Sequence, residues 1–285
     1  MYSIYRGITG CFKRSKGDFV LNIGILLFCL FSVFPIYWLL TGSVKLQADV
    51  MKIPPDWVPT SVTFDNYISI FLENPALRWI YNSFFTALLG TLGIIAVSSA
   101  AGYALSKLTF TGRNLIFLFV IAALVLPKEV YLLPLYQEMI SFQWRGTFLA
   151  LIVPDLAMPF GVFLIKQFYD GIPDELREAA AIDGCGSIRF FFDFGIPLSK
   201  PGIGALGILA FIRMWNSYLW QYTMATDSST YTLPVGIARM MDNPDIVDYG
   251  LKFAGASVAA IPLLIIFVFF QRYFTSGITA GAIKG

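Results

Sequence analysis

The sequence predicts an all-α integral membrane protein with six transmembrane helices in a single transmembrane domain, residues 1–285. Composition is the first reason: 57% of the residues are hydrophobic, 13% are charged and mean hydropathy is +0.70. A soluble domain carries about 25% charged residues. The second is that apolar runs of the ~20 residues needed to cross a bilayer recur along the chain. The third is that the polar stretches between them are short, leaving no room for a large extra domain. The formal charge of +2 says little, because its distribution matters more than its sum.

The first span covers residues 19–44 and is uncharged. Arg6, Lys13, Arg14 and Lys16 precede it as in a signal peptide. The run is far longer than a signal h-region of roughly 7–15 residues, and no small-residue cleavage site follows. The second span, 79–106, is also uncharged. The third, 114–135, runs through Pro127 and carries Lys128 and Glu129 in its outer half. The fourth, 146–168, holds Asp155 among Pro154 and Pro159; the fifth, 201–222, holds Arg213; the sixth is 253–274. Lys and Arg near span ends set orientation. Lys107, Arg113, Lys166, Arg177, Arg189, Lys200, Arg272 and Lys284 fall on the side of the basic N-terminal cluster. Both termini are therefore expected in the cytoplasm.

Two outer segments are long. Residues 45–78 contain Pro54-Pro55-Asp56-Trp57 and the stretch Phe64-Asp65-Asn66-Tyr67, suited to the membrane interface. Residues 223–251 contain Thr232-Leu233-Pro234 and the acidic tract Asp242, Asp245, Asp248. Histidine is absent, which removes the commonest general base and metal ligand. With no clustered acid–base or Ser–Lys arrangement, a membrane-embedded enzyme is disfavoured. Cys11, Cys29 and Cys185 share no metal-type spacing and should stay unpaired. The absence of an inverted internal repeat counts against a secondary transporter.

The loop from Lys166 to Lys200 is the most distinctive stretch. Pro173 suits the first position of a helix; Asp174 and Glu175 favour the positive end of its dipole. Leu176, Ala179, Ala180 and Asp183 share one face, and Gly184 stands where a left-handed C-cap is wanted. Ser187 opens a second short helix, 188–192, whose phenylalanines are expected to dip into the bilayer edge. Small alanines permit close approach by another protein, and Glu178 and Asp183 offer it carboxylates. A solvated amphipathic connector accounts for the composition equally well.

The run Glu178-Ala179-Ala180, three residues, Gly184, nine residues, then Phe194-Gly195-Ile196-Pro197 resembles the EAA loop of bacterial ABC-importer permeases. Phe194 and Ile196 depart from that pattern's Ile and Leu. Met214-Trp215-Asn216-Ser217-Tyr218-Leu219-Trp220 is similar to a segment of carbohydrate permeases. The ending Gly277-Ile278-Thr279-Ala280-Gly281-Ala282-Ile283-Lys284-Gly285 is similar to their tail. The resemblance covers nearly the whole chain and is nearest to the short-N-terminus subunit of maltose-type importers.

That resemblance implies a type I importer permease fold with a cytoplasmic EAA helix-turn-helix at 171–197. It implies import of a carbohydrate as one of two unlike permeases, with two ATPase subunits and an extracytoplasmic sugar-binding protein in the bacterial cell membrane. Glu178, Ala179, Ala180, Asp183 and Gly184 would dock the ATPase, with Lys284 near that interface. The loop 223–251 would face the binding protein. No cofactor, catalytic residue, metal site or nucleic-acid partner is expected in this chain. A P-loop, G-x-x-x-x-G-K-[S/T], is missing, so ATP and Mg2+ would be bound by the partner ATPase.

Ionisable groups inside spans usually face a cavity or a partner. Asp155 and Arg213 are therefore candidates for the substrate path; Trp215, Asn216, Tyr218 and Trp220 join them because flat ring faces for stacking and amide groups for hydrogen bonds suit sugar rings. Asp155 and Arg213 form a structural pair in the alternative reading, Tyr218 and Trp220 an interfacial belt, and Lys128 and Glu129 simply lie near the outer surface. A permease for a non-sugar solute and a secondary transporter remain the competing functions.

Overall fold

The computed structural model describes residues 16–241 and 248–282. Arg6, Cys11, Lys13, Arg14, Asp242, Asp245 and Lys284, used above, lie outside them. All regular structure among the described residues is helical. The chain, taken above as one transmembrane domain, clusters into two compact units: residues 1–74 with 243–258, and residues 75–242 with 259–285.

The first unit is led by helix α1, Lys16–Ser43. At about 1.5 Å per residue it spans a hydrocarbon core with length to spare. Its apolar side chains, Phe19, Leu26, Phe28 and Phe31 among them, stand exposed along its length. The end of α1 clamps the loop that follows. Tyr37 Oη donates to the Trp57 carbonyl at 2.6 Å, and Trp57 packs on Phe34 and Trp38 at ring-centroid distances of 5.9 and 5.8 Å. Buried Lys45 donates to the Asp56 carbonyl at 2.5 Å and sits 4.9 Å over the Trp38 ring. The aromatic stretch expected at the interface is held separately: Tyr67 Oη lies 2.8 Å from Ser43 Oγ and Asn66 Nδ2 donates to the Ser43 carbonyl at 2.9 Å, while Phe64 stays exposed.

The second unit is organised around helix α2, Ala76–Lys107. Together α1 and α2 are the two described helices long and apolar enough to cross a membrane; three bent helix pairs bring that number to five. The third expected span is one of these pairs. Helix α3, Arg113–Val125, stops before Pro127 (ψ 144°), and the chain bends by 100° into Lys128–Val130 and helix α4, Leu132–Ser141. Proline removes an N–H and pushes its predecessor into extended backbone, so 114–135 is not one straight helix.

Proline also breaks the fourth. Helix α5, Phe148–Ile152, and the turn Val153–Asp155 meet helix α6, Pro159–Asp170, at 44°. Helix α7, Asp174–Ile182, is followed by the short turns Ser187–Phe190 and Phe191–Gly195. Helix α8, Lys200–Trp215, ends before the expected limit at 222, capped by Asn216. Residues 216–218 separate it from helix α9, Leu219–Met224. Helix α10, Leu233–Met240, lies within the loop 223–251, and helix α11, Tyr249–Ala282, takes the place of the sixth span.

Small residues let α2 meet its neighbours at backbone range, as membrane helices require when apolar burial alone does not hold them together. A Cβ on Gly102 would fall 3.0 Å from the Lys166 backbone nitrogen of α6; one on Gly90 would strike the Met214 side chain of α8 at 2.5 Å, and one on Gly161 of α6 the Ser98 hydroxyl of α2 at 2.3 Å. Met139, Ala150, Leu151, Trp220 and Met224 form a buried cluster that fastens α4, α5 and α9 together.

Candidate functional site

The loop between α6 and α8 carries the first candidate site. Pro173 is the residue before the helix (φ −58°, ψ 139°), so the helix begins one position later than expected, at Asp174. Asp174 and Glu175 occupy its first turn as anticipated. At its other end Gly184 adopts φ +78°; Cys185 N–H donates to the Ala180 carbonyl at 2.9 Å and Gly184 N–H to the Ala181 carbonyl at 3.0 Å. These are the two bonds of a Schellman cap. A Cβ on Gly184 would meet nothing of this chain within 4 Å. Glycine is therefore required by backbone conformation, not by space.

The faces of α7 differ from the expected ones. Ala180 is buried while Glu178, Ala179 and Asp183 are exposed, so one alanine packs inward and its neighbour looks out. Consecutive helical residues are turned by about 100°, which is why the pair divides. Ile182, 87% exposed, joins the outward surface. The phenylalanines that follow are also placed differently. Phe190 is 1% exposed and stacks on Phe194 at 5.1 Å, and Phe191 packs 5.1 Å from Tyr103. Only Phe192 stands out, 59% exposed. Phe194, which departs from the motif's pattern, is thus one half of an aromatic pair.

What holds this loop is a row on the last turns of α2. Tyr103, Ser106 and Lys107 lie at i, i+3 and i+4, on one face. Tyr103 Oη donates to the Ser187 carbonyl at 2.9 Å, and Ser106 Oγ to the Asp170 carboxylate at 2.6 Å. Lys107 Nζ, with only 4% of its side chain exposed, donates to the Ile172 carbonyl at 2.6 Å and Asp174 Oδ1 at 2.8 Å. The ammonium holds the Asp174 carboxyl below the usual carboxylate range, first by this hydrogen bond and then by charge. Three side chains of one helix face thus grip α6, α7 and the turn at Ser187. Partners lie 64 to 84 residues away, so no local pattern announces them.

The opposite end of α2 is gripped too. Asn82 Nδ2 donates to the carbonyls of Ser229 and Tyr231 at 2.9 and 2.8 Å, Trp79 Nε1 donates to Ser228 Oγ at 3.2 Å, and Ser83 Oγ accepts from Leu233 N–H at 2.8 Å. Asp227 orders that segment by accepting from Ser229, which lowers its pKa.

The intramembrane candidates fall into three groups. Asp155, 7% exposed, accepts two hydrogen bonds of 2.8 Å from Lys128 Nζ. Arg213 lies 3.8 Å away and keeps 45% of its side chain exposed. The near partner of Asp155 is therefore Lys128, expected at the outer surface, and Arg213 is the more distant one. The 100° bend after α3 is what carries Lys128 there; Glu129 stays exposed. Lys128 Nζ also sits 5.1 Å over the Trp220 ring.

Trp215 and Trp220 are core residues, 1% and 2% exposed. Trp215 packs on Phe84 at 5.0 Å and donates to the Ala259 carbonyl; Trp220 donates to the Ala150 carbonyl. Their ring faces are taken up by the chain itself, which corrects the expectation that they offer stacking platforms. Asn216 and Tyr218 remain exposed, with Tyr218 5.5 Å from Tyr222.

Residues 93–280 match the family described as binding-protein-dependent transport system inner membrane component. An arabinooligosaccharides transport system permease protein from Halalkalibacterium halodurans is 36% identical, covering 94% of this chain and 97% of its own. A trehalose/maltose transport system permease protein from Thermococcus litoralis is 32% identical, covering 93% and 96%. The fold resembles a chain in the crystal structure of a bacterial ABC transporter involved in the import of the acidic polysaccharide alginate, with a TM-score of 0.77, 19% identity and coverage of 92% and 99%. The chain belongs to the family of binding-protein-dependent transport system inner membrane components.

Proposed function

We propose that this chain is a permease subunit of an ABC importer that brings a carbohydrate into the cell. It pairs with a second, unlike permease and is driven by two ATPase subunits that bind the ATP and Mg2+. The exposed surface of Glu178, Ala179, Asp183 and Gly184, lashed to α2 through Tyr103, Ser106 and Lys107, carries the reading. Such a surface offers carboxylates and an open backbone to a partner while being unable to move without α2. The named sugar permeases support carbohydrate as the cargo.

Closure of the ATPases pushes α7 inward, and the buried Lys107 passes that displacement to α2. The far end of α2 holds residues 228–233 on the side where the extracytoplasmic binding protein delivers cargo. The cavity then opens outward, and hydrolysis resets it. Both termini lie in the cytoplasm. Arg213, Asn216 and Tyr218 line the path; Asp155 is held by Lys128 beside it and fixes the turn between α5 and α6.

Glu178→Lys combined with Gly184→Trp tests the docking surface. Co-purification of the ATPase with the permease pair should fall at least tenfold and uptake should cease. Normal co-purification with normal uptake would overturn the assignment.

A further inference from the structure

The loop that leaves α1 folds back along it. Tyr37, whose hydroxyl holds the Trp57 carbonyl at 2.6 Å, stands six residues before Ser43, the last of α1. That is about 9 Å back along the helix. The apolar run of α1, Phe19–Ser43, has 25 residues. At 1.5 Å per residue it is about 38 Å long, about 8 Å more than the ~30 Å hydrocarbon core. With the whole surplus standing at this end, the Trp57 carbonyl lies at the hydrocarbon boundary. A centred or tilted helix carries it deeper.

The segment held there, Ile53-Pro54-Pro55-Asp56-Trp57-Val58-Pro59, is suited to that depth. Ile53 is 93% exposed, Val58 68% and Trp57 61%, an apolar surface that this chain leaves uncovered. An irregular backbone against lipid must leave few polar groups to satisfy. Its three prolines carry no N–H. The carbonyls of Asp56 and Trp57 are taken by Lys45 Nζ and Tyr37 Oη. Its one charged side chain, Asp56, pairs with Lys52 at 2.8 Å. Tryptophan itself favours this level, between hydrocarbon and headgroups. The surface is also continuous with that of α1, because Trp57 packs on Phe34 and Trp38 and Phe34 is itself exposed. What covers α1 therefore covers the segment, and for a helix of this length and hydropathy that is lipid. The contact falls earlier in the loop than the stretch Phe64–Tyr67, whose Asn66 and Tyr67 are turned to Ser43.

We infer that residues 53–59 form a lipid-binding wedge, seated in the interface of the leaflet that receives the end of α1. Ile53, Trp57 and Val58 enter the upper acyl region, and Tyr37 and Lys45 hold the segment down against the helix. The wedge fixes the height of α1 in the bilayer. This rests on α1 crossing the membrane and is independent of the cargo. The test uses the complete transporter, both permeases with their ATPases, in nanodiscs of phosphatidylethanolamine and phosphatidylglycerol. A nitroxide is attached at Ile53→Cys or Val58→Cys after the native cysteines are replaced by serine. Both side chains are exposed, so the label displaces no packing. Collision rates with oxygen, which concentrates in lipid, and with a neutral nickel chelate, which stays in water, are read by power saturation. At both sites oxygen should outdo the chelate at least threefold. Adding Tyr37→Phe, which frees the Trp57 carbonyl, should at least halve that ratio at Val58. A chelate rate equal to or above that of oxygen at either site would put the segment in water and overturn the inference. Shielding from both reagents would overturn it too, by placing the segment beneath the second permease. An unaltered ratio in Tyr37→Phe would refute the anchoring by α1.

Discussion

The two ends of α2 are both tied to distant segments, but by different chemistry. At the coupling end a buried ammonium bridges a carbonyl and a carboxylate, and hydroxyls of Tyr103 and Ser106 flank it. At the far end the buried bonds are neutral: an amide and a serine hydroxyl hold the backbone of residues 229–233 and an indole holds the Ser228 hydroxyl, while the one charged donor, Arg78, is exposed and reaches the Ser229 carbonyl at 3.3 Å. Charge-assisted bonds are roughly twice as strong as neutral ones, and a buried lysine stripped of its partners has no inexpensive alternative state. On the proposed mechanism, the joint to the α7 loop is thus the more rigid of the two and the joint to residues 228–233 the more yielding. Lys107 stands in the last turn of α2, where the negative end of the helix dipole also favours its charge.

Removing the rigid joint should have the largest effect. Lys107→Met takes away a buried charged bond to the Ile172 carbonyl, worth ~1.5–3 kcal/mol, and a bond to the exposed Asp174 carboxylate, worth ~0–1 kcal/mol. Uptake should fall at least tenfold while the ATPase still co-purifies; undiminished uptake would show that α7 moves α2 by another route. Next comes Asn82→Leu, which takes its bond from the Tyr231 carbonyl, at ~1–3 kcal/mol, and leaves the Ser229 carbonyl to Arg78 alone. Its thermal midpoint should fall, and the response to the binding protein should weaken with basal ATP hydrolysis intact. A loss of ATPase association instead would mean the two ends are not separable.

Gly184→Ala should be milder, about 1 kcal/mol, because the residue sits at positive φ with open space around it. A larger residue there should affect ATPase binding out of proportion to its effect on stability. Asp174→Asn should be the smallest, since that carboxylate is 66% exposed and exposed pairs contribute ~0–1 kcal/mol. Its sign is fixed by the depressed pKa. The Lys107–Asp174 contribution is full at neutral pH and is lost as pH falls through the folded pKa, below the ordinary carboxylate value of ~3.9. Wild type should therefore lose its advantage over Asp174→Asn in acid melts; a difference that grows on acidification would contradict the assignment.

Local rules read α7 well. Acidic residues in the first turn, a glycine at the left-handed cap and the motif spacing are all short-range signals, and the Schellman bonds at Gly184 answer them. Uncharged runs likewise located α1 and α2. What escaped were features set by tertiary geometry. Pro127 was visible, but the size of the bend it permits was not, and that bend decides that Lys128 rather than Arg213 meets Asp155 first. Trp215 and Trp220 looked like platforms because aromatic composition cannot say which ring faces the chain has already covered. Tyr103, Ser106 and Lys107 share a helix face that could have drawn attention as a polar row at an apolar helix's end. Their partners could not be guessed.

The central claim is that α2 relays movement of α7 across the unit, and coupling stoichiometry tests it most directly. With the full transporter in proteoliposomes, ATP hydrolysed per sugar imported is measured for wild type and Lys107→Met, using the sugar-loaded binding protein. Lys107→Met should keep its ATPases and its basal hydrolysis, while binding-protein stimulation disappears and the ratio of ATP to sugar rises at least tenfold. An unchanged ratio, with stimulation retained, would contradict it.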